Sequence, residues 1–306
     1  MSELRLVPAA LAVWAAAACC ILFGVWAAAA VIAVLAAGCL LLRQPGQALL
    51  TAGLGAAATT TAAVRKGMSA AASEVAGTIS GAPKQTSSGA FLVRVRVPGR
   101  PSTTPVFTQE LPSGAVNGAH VVARGAAKES SVPGVNPFVL NGRVEVLGPP
   151  EGLAAFALHV RSTFAAAVEA KVGPASQGLI PGMVLGDVSL QSPAEQQMYI
   201  DTGLSHLSAV SGANIAIVST AAAVAAAAAG AGLRGKIAAS AAALLVYAGL
   251  VGPEPSVLRA SVSGLVGLVA VLSSRQSEPI HALCLSVIGL VLVDSDLAVH
   301  YGFALS

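Results

Sequence analysis

Seven polar or ionisable side chains, Asp187, Asp201, Ser205, His206, Ser208, Ser211 and Asn214, crowd the start of a long run without formal charge. An unpaired polar group is costly in apolar surroundings, so these must face protein or water. If residues 204–218 are helical, Leu204, Leu207, Ser208, Ser211 and Ile215 share one face, and the two serines line up. Such a face serves either to bond neighbouring helices or to line a path for a polar solute. Ser211 with His206 offers a nucleophile and a base, but no Gly-x-Ser-x-Gly elbow surrounds the serine. His120, His159, His206, His281 and His300 lack the His-x-His and His-x-x-x-His spacings of metal ligands. Neither a catalysed reaction nor a metal or other cofactor is read from this chain.

A second group is basic. Arg94, Arg96 and Arg100 stand near Phe91 and Phe107, the mixture of a single-strand groove in which phosphates meet arginine and bases stack on aromatics. The same charges also suit the solvated face of any strand. Arg259, just after Pro255, opens another apolar run, where a cation must reach phosphate headgroups or face a cavity.

The elements that position these residues are mostly apolar. Only 10% of the 306 residues are charged, against about 25% in a soluble domain. No charge falls between Arg5 and Arg43, nor between Asp201 and Arg234, and each run exceeds the roughly 20 residues that cross a bilayer. The four cysteines, Cys19, Cys20, Cys39 and Cys284, lie in apolar runs as small hydrophobes, so no disulfide framework is expected. The composition predicts a polytopic α-helical membrane protein. Residues 1–64 hold about three helices: a hairpin over 6–42 turning near Gly24, then a weaker span from Pro45 to Val64. The first apolar stretch is too long for a signal peptide and is expected to be retained.

Residues 65–150 have the composition of a soluble domain with period-two patterning. Phe91, Val93, Val95 and Val97 alternate with Leu92, Arg94 and Arg96, the signature of a half-buried strand. Further strands are expected at 74–80, 103–109, 118–124 and 138–147, which in so short a segment predicts a small all-β, OB-like barrel. Residues 151–177 comprise an amphipathic helix, with Leu153, Phe156, Val160, Phe164 and Val168 on one face and Arg161 off it, and a linker. Residues 178–306 return to apolar spans, at 204–232, 237–252, 258–274 and 280–293, with the last ten residues beginning another. With the N-terminus cytoplasmic, Arg5, Arg43, Arg234, Lys236 and Arg275 are inside and the β domain is extracytoplasmic. Arg65, Lys66 and Arg259 are exceptions to this rule.

The segment GLIPGMVLGDVSLQSPAEQQMYIDTGLSHLSAVSGANIAIV, residues 178–218, resembles the ComEC family of competence proteins. The family's Leu-Gly-Asp is matched by Leu185, Gly186 and Asp187, its Thr-Gly-Leu-Ser-His-Leu by Thr202 to Leu207, and its Ser-Gly by Ser211 and Gly212. Pro255, Ser256, Arg259 and Ala260 resemble its Pro-Ser-x-x-Arg-Ala motif, and Gly302 to Ser306 its Gly-Phe-x-Leu-Ser. Where the family commonly has His after Ser-Gly, this chain has Ala213 and Asn214. On the resemblance, the chain ends inside its next span, before the later spans and metallo-β-lactamase-like domain of many relatives. The resemblance implies a membrane channel component for uptake of single-stranded DNA during natural transformation. The path candidates are Asp187, Asp201, Ser205, His206, Ser208, Ser211, Asn214 and Arg259, and the DNA-binding candidates Arg94, Arg96 and Arg100. Implied partners are single-stranded DNA, the lipid bilayer of the plasma membrane, and other competence proteins or a second copy of the chain. The alternatives are a truncated, non-conducting membrane fragment and a small-solute transporter; the latter would be marked by inverted repeats, which are not evident.

Overall fold

The computed structural model describes residues 5–86, 88–203, 210, 212–272 and 279–304. Its N-terminal part is a helical hairpin, α1 (Val7–Phe23) and α2 (Val25–Leu41), followed by α3 (Pro45–Gly67). Gly24 makes the first reversal at φ 95, a backbone region that side-chain-bearing residues rarely adopt. Its N–H caps the carbonyls of Cys19 and Cys20. Because α1 and α3 both run antiparallel to α2, their C-termini share one end of the bundle. There the Lys66 ammonium donates to the Ile21 carbonyl, 2.9 Å away, in the last turn of α1. A helix's final carbonyls lack intrahelical donors and attract cations, which explains a lysine at that end.

Six strands follow: β1 (Glu74–Ile79), β2 (Lys84–Gln85), β3 (Phe91–Arg96), β4 (Thr103–Thr108), β5 (His120–Glu129) and β6 (Phe138–Gly148). The sheet runs β1-β5-β6-β4-β3-β2, and a further β1–β3 pairing closes five strands into a barrel. All pairings are antiparallel except β4–β6, which is parallel, with Val106 opposite Leu140. Alternation decides the faces: Val93 and Val95 are fully buried with Val75, Ile79, Val106, Val121 and Leu140, whereas Arg94 and Arg96 are exposed. The expected strands thus form, though the one expected at 118–124 starts at His120 and runs on to Glu129. β2, too short to show a period, was not among them.

Helix α4 (Gly152–Lys171) keeps Phe164 and Val168 of the expected face and turns Leu153 and Phe156 outward. Its packed side is Ala157, Arg161, Phe164, Ala165 and Val168, while Leu153 and Phe156 are exposed. Small residues allow close approach to the helices beneath, and Arg161 is drawn to that side by the carbonyls described below. Short helices α5 (Pro174–Gln177), α6 (Leu179–Leu185) and α7 (Pro193–Asp201) lead to α8 (Gly212–Ala228), α9 (Leu233–Val251), α10 (Pro255–Leu272) and α11 (Pro279–Val293). A 3-10 turn (Ser295–Val299) and α12 (Tyr301–Ala304) complete the described chain. By length and composition α9 and α10 can each cross a membrane, and α1, α2, α8 and α11 are shorter apolar helices of 15–17 residues.

A joint of side-chain bonds holds the barrel to the helices. Arg65, at the end of α3, donates to the carbonyls of Val293 and Pro101 and pairs with Asp294 at 3.2 Å. Asp296 accepts the Val135 N–H at 2.6 Å, and the Trp14 indole donates to Ala298 O at 2.9 Å. Val135, from the β5–β6 loop, is itself buried among Ala16, Cys20, Ile21, Ala28 and Ala62. Arg65 and Lys66, two of the three exceptions to the charge rule, are therefore structural cations serving helix C-termini. Burial raises the pKa of the Asp296 carboxyl above its ordinary value, opposed by the Val135 N–H and by Arg65 and Arg94.

Candidate functional site

The Leu-Gly-Asp turn closes α6. Gly186 takes a left-handed conformation at φ 69, and the N–H groups of Gly186 and Asp187 donate to Gly182 O and Pro181 O. A Cβ at Gly186 would stand 3.3 Å from Val210 Cγ2. Leu185 is buried with Val210, Ile215, Leu244, Tyr247, Val251 and Val257, so the turn is locked onto α8, α9 and α10. Asp187 folds back to accept the Ser189 N–H at 3.0 Å, and Asp201 accepts from the Gln197 amide at 2.7 Å on exposed α7.

Three side chains then satisfy carbonyls that end helices. Asn214 Nδ2 donates to Met183 O at 2.7 Å, and the Tyr247 hydroxyl to Val184 O at 2.6 Å, both in the last turn of α6. Arg161 Nε donates to Leu250 O at 2.7 Å, and its NH2 group to Val251 O, at the end of α9. Burial lowers the Arg161 pKa, while the charges of Asp187 and Glu254 act in the other direction; an arginine so placed stays protonated. Ser256 on α10 donates to Val210 O at 3.2 Å. The Lys84–Glu254 ion pair, 3.9 Å long and exposed, links β2 to the α9–α10 turn, so this end of the helices is the barrel end.

On α10, Ser256, Arg259 and Ser263 recur at three- and four-residue spacing and share a face. Ser263 meets Ser286 of α11 at 3.0 Å. Arg259 is half-buried one turn above that contact. The opposite side packs on α9, where a Cβ on Gly264 would come within 2.8 Å of Leu244 Cδ1.

On the barrel, Leu92 pairs with Phe107, Arg94 with Pro105 and Arg96 with Thr103, so Phe107 and two arginines share the outer face of the β3–β4 ribbon. Phe91 is on the other parity, with Val93. Arg100 lies in the connecting loop and donates to Ala70 O at 3.3 Å. Among the described residues no three His, Cys, Asp or Glu side chains come together as a metal site.

Of the path candidates, the structure brings Asp187 and Asn214 to one turn with Arg259 on the adjoining α10, and sets Asp201 apart on α7. Ser205, His206, Ser208 and Ser211 lie outside the described residues, as does Arg275. Arg161, Tyr247 and Ser256 were missed as site-builders. A signal existed for Arg161, which stands four residues from both Ala157 and Ala165. Residues 183–306 match the family model described as Competence protein, the segment that contains α8 to α11 and the turn they hold. No curated protein and no solved structure matches the chain.

Proposed function

We propose that this chain, through its competence-family segment, is a channel component for uptake of single-stranded DNA across the plasma membrane during natural transformation, catalysing no reaction itself. The match over residues 183–306 carries the reading. That match and the two long apolar helices point to a membrane location.

Burial supports a multi-pass arrangement. Helix α2 is apolar on all sides, yet only Ala28 and Cys39 are buried, and Trp26 is 86% exposed. Helix α8 likewise buries only Ile215 among its described side chains. Apolar helices with apolar exteriors need hydrocarbon as solvent. Arg5, Arg43, Arg234 and Lys236 flank helix ends away from the barrel, which favours a cytoplasmic N-terminus and an extracytoplasmic barrel. The closed five-stranded order with its one parallel pair fits an OB-like domain. The Arg94, Arg96 and Phe107 face would guide the strand by phosphate contact and stacking.

Reporter fusions at Lys128 and Gly235 test the arrangement: an extracytoplasmic signal at the first and a cytoplasmic signal at the second are expected, and the same side for both would overturn it. For the DNA reading, the chain in micelles should bind oligothymidylate with affinity that falls as salt rises, at a slope of about 0.7 per phosphate contact. Replacing Arg94, Arg96 and Arg100 together by Ala should flatten that slope. Binding indifferent to salt would refute the groove.

A further inference from the structure

Four arginines among the described residues are half-buried: Arg65, Arg100, Arg161 and Arg259. The first three hold backbone carbonyls, Arg65 those of Val293 and Pro101, Arg100 that of Ala70, and Arg161 those of Leu250 and Val251. Arg259 has no hydrogen-bond acceptor and no ion pair among the described residues. A guanidinium carries five N–H donors and stays charged, and leaving it unpaired in an apolar helix is costly. Its own helix places Ser256 and Ser263 on the same face, but those hydroxyls bond to Val210 O and Ser286 and neither accepts from Arg259.

Position narrows the missing acceptor. Arg259 lies in the second turn of α10, close to the barrel end marked by the Lys84–Glu254 pair and by Arg161 on the end of α9. On the reading of α10 as a span, Arg259 stands near the end of that span that adjoins the barrel. The planar fork matches two oxygens of one phosphate. We infer that Arg259 is a phosphodiester-binding residue, taking a phosphate of either the nucleic-acid backbone or a lipid headgroup. This rests on the uptake reading for the first source and is independent of it for the second.

Two titrations on the full chain in maltoside micelles, which contain no phosphate, test the site. In one, oligothymidylate binding is followed against salt; in the other, thermal unfolding is followed as phosphatidylglycerol is added. Arg259→Gln is expected to lower the salt slope by about 0.7, one single-strand contact, if the source is DNA. If the source is lipid, it is expected to abolish most of the stabilisation by phosphatidylglycerol. Arg259→Lys should retain most of whichever response is lost. Should the Gln variant fail to fold, Arg259→Leu, suited to a span, takes its place. Loss in either titration supports the site and identifies its phosphate, and unchanged responses in both overturn it. DNA uptake by cells enters neither titration, so a lipid response alone would preserve the site while removing DNA from it.

Discussion

Arg65→Ala should be the most damaging single substitution at the joint between barrel and helices. The side chain is 15% exposed and bridges three segments far apart in the chain: α3, the β3–β4 loop at Pro101, and the end of α11 at Val293 and Asp294. Charged hydrogen bonds to two carbonyls contribute about 1.5 kcal/mol each. The pair with Asp294, itself 43% exposed, adds about 0.5 kcal/mol after solvent screening. Against this, Arg65 Nε is buried without a partner, a cost of about 1 kcal/mol that trims the total to about 2.5 kcal/mol. At about 2 °C per kcal/mol for a chain of this size, the melting transition in detergent should fall by about 5 °C. Arg65→Lys keeps the charge, but one ammonium cannot span the three acceptors, so it should lose roughly half as much. A fall under about 2 °C for the Ala variant would show that the barrel is held by apolar packing around Val135 and that the bridging arginine is incidental.

Gly186→Ala should cost about 1–2 kcal/mol for the left-handed backbone, and more through the crowding of Val210, read as a lowered melting temperature. The Asp296 carboxyl has a folded-state pKa above its unfolded value, so the unfolded chain ionises first. Its contribution is therefore most favourable below the ordinary carboxylate pKa and is lost as pH rises through the raised one; Asp296→Asn should flatten that part of the stability profile. Residues 67–173 alone should give a β-rich circular dichroism spectrum that reducing agents do not change, because the barrel closes its own core and contains no cysteine. A spectrum dominated by helix would refute that.

Local pattern made part of this architecture legible. The α1–α2 hairpin follows from a charge-free run too long for one span and from Gly24 near its middle. The β3 strand follows from Val93 and Val95 alternating with Arg94 and Arg96, because a strand sends successive side chains to opposite faces. What pattern could not convey is which strands pair to close the barrel. The parallel β4–β6 pair brings Val106 to Leu140, and no periodicity encodes which strands meet. The amphipathic face of α4 was misplaced at its start, where hydrophobicity selected the exposed Leu153 and Phe156, whereas Phe164 and Val168 pack as expected beside Ala157, Ala165 and Arg161. The site was least legible, since its bonds run between side chains and carbonyls 31 to 90 residues apart: Asn214 to Met183, Tyr247 to Val184 and Arg161 to Val251. A carbonyl has no residue type, so its partner cannot be read from spacing. The Leu-Gly-Asp motif was visible as residues, but its part as the cap of a short helix needed Gly186's dihedral angles.

Arrival of DNA in the cytoplasm is the most direct test of the central claim. In the host cell, with the coding sequence deleted, fluorescent DNA supplied outside should still bind the surface while labelled single strands fail to reach the cytoplasm; restoring the gene should restore transport. The further substitution of Leu for Ser208 and Ser211 should block transport while the protein still inserts, because a polar face is replaced without loss of hydrophobicity. Unimpaired arrival of labelled strands in the deletion strain would contradict the account outright.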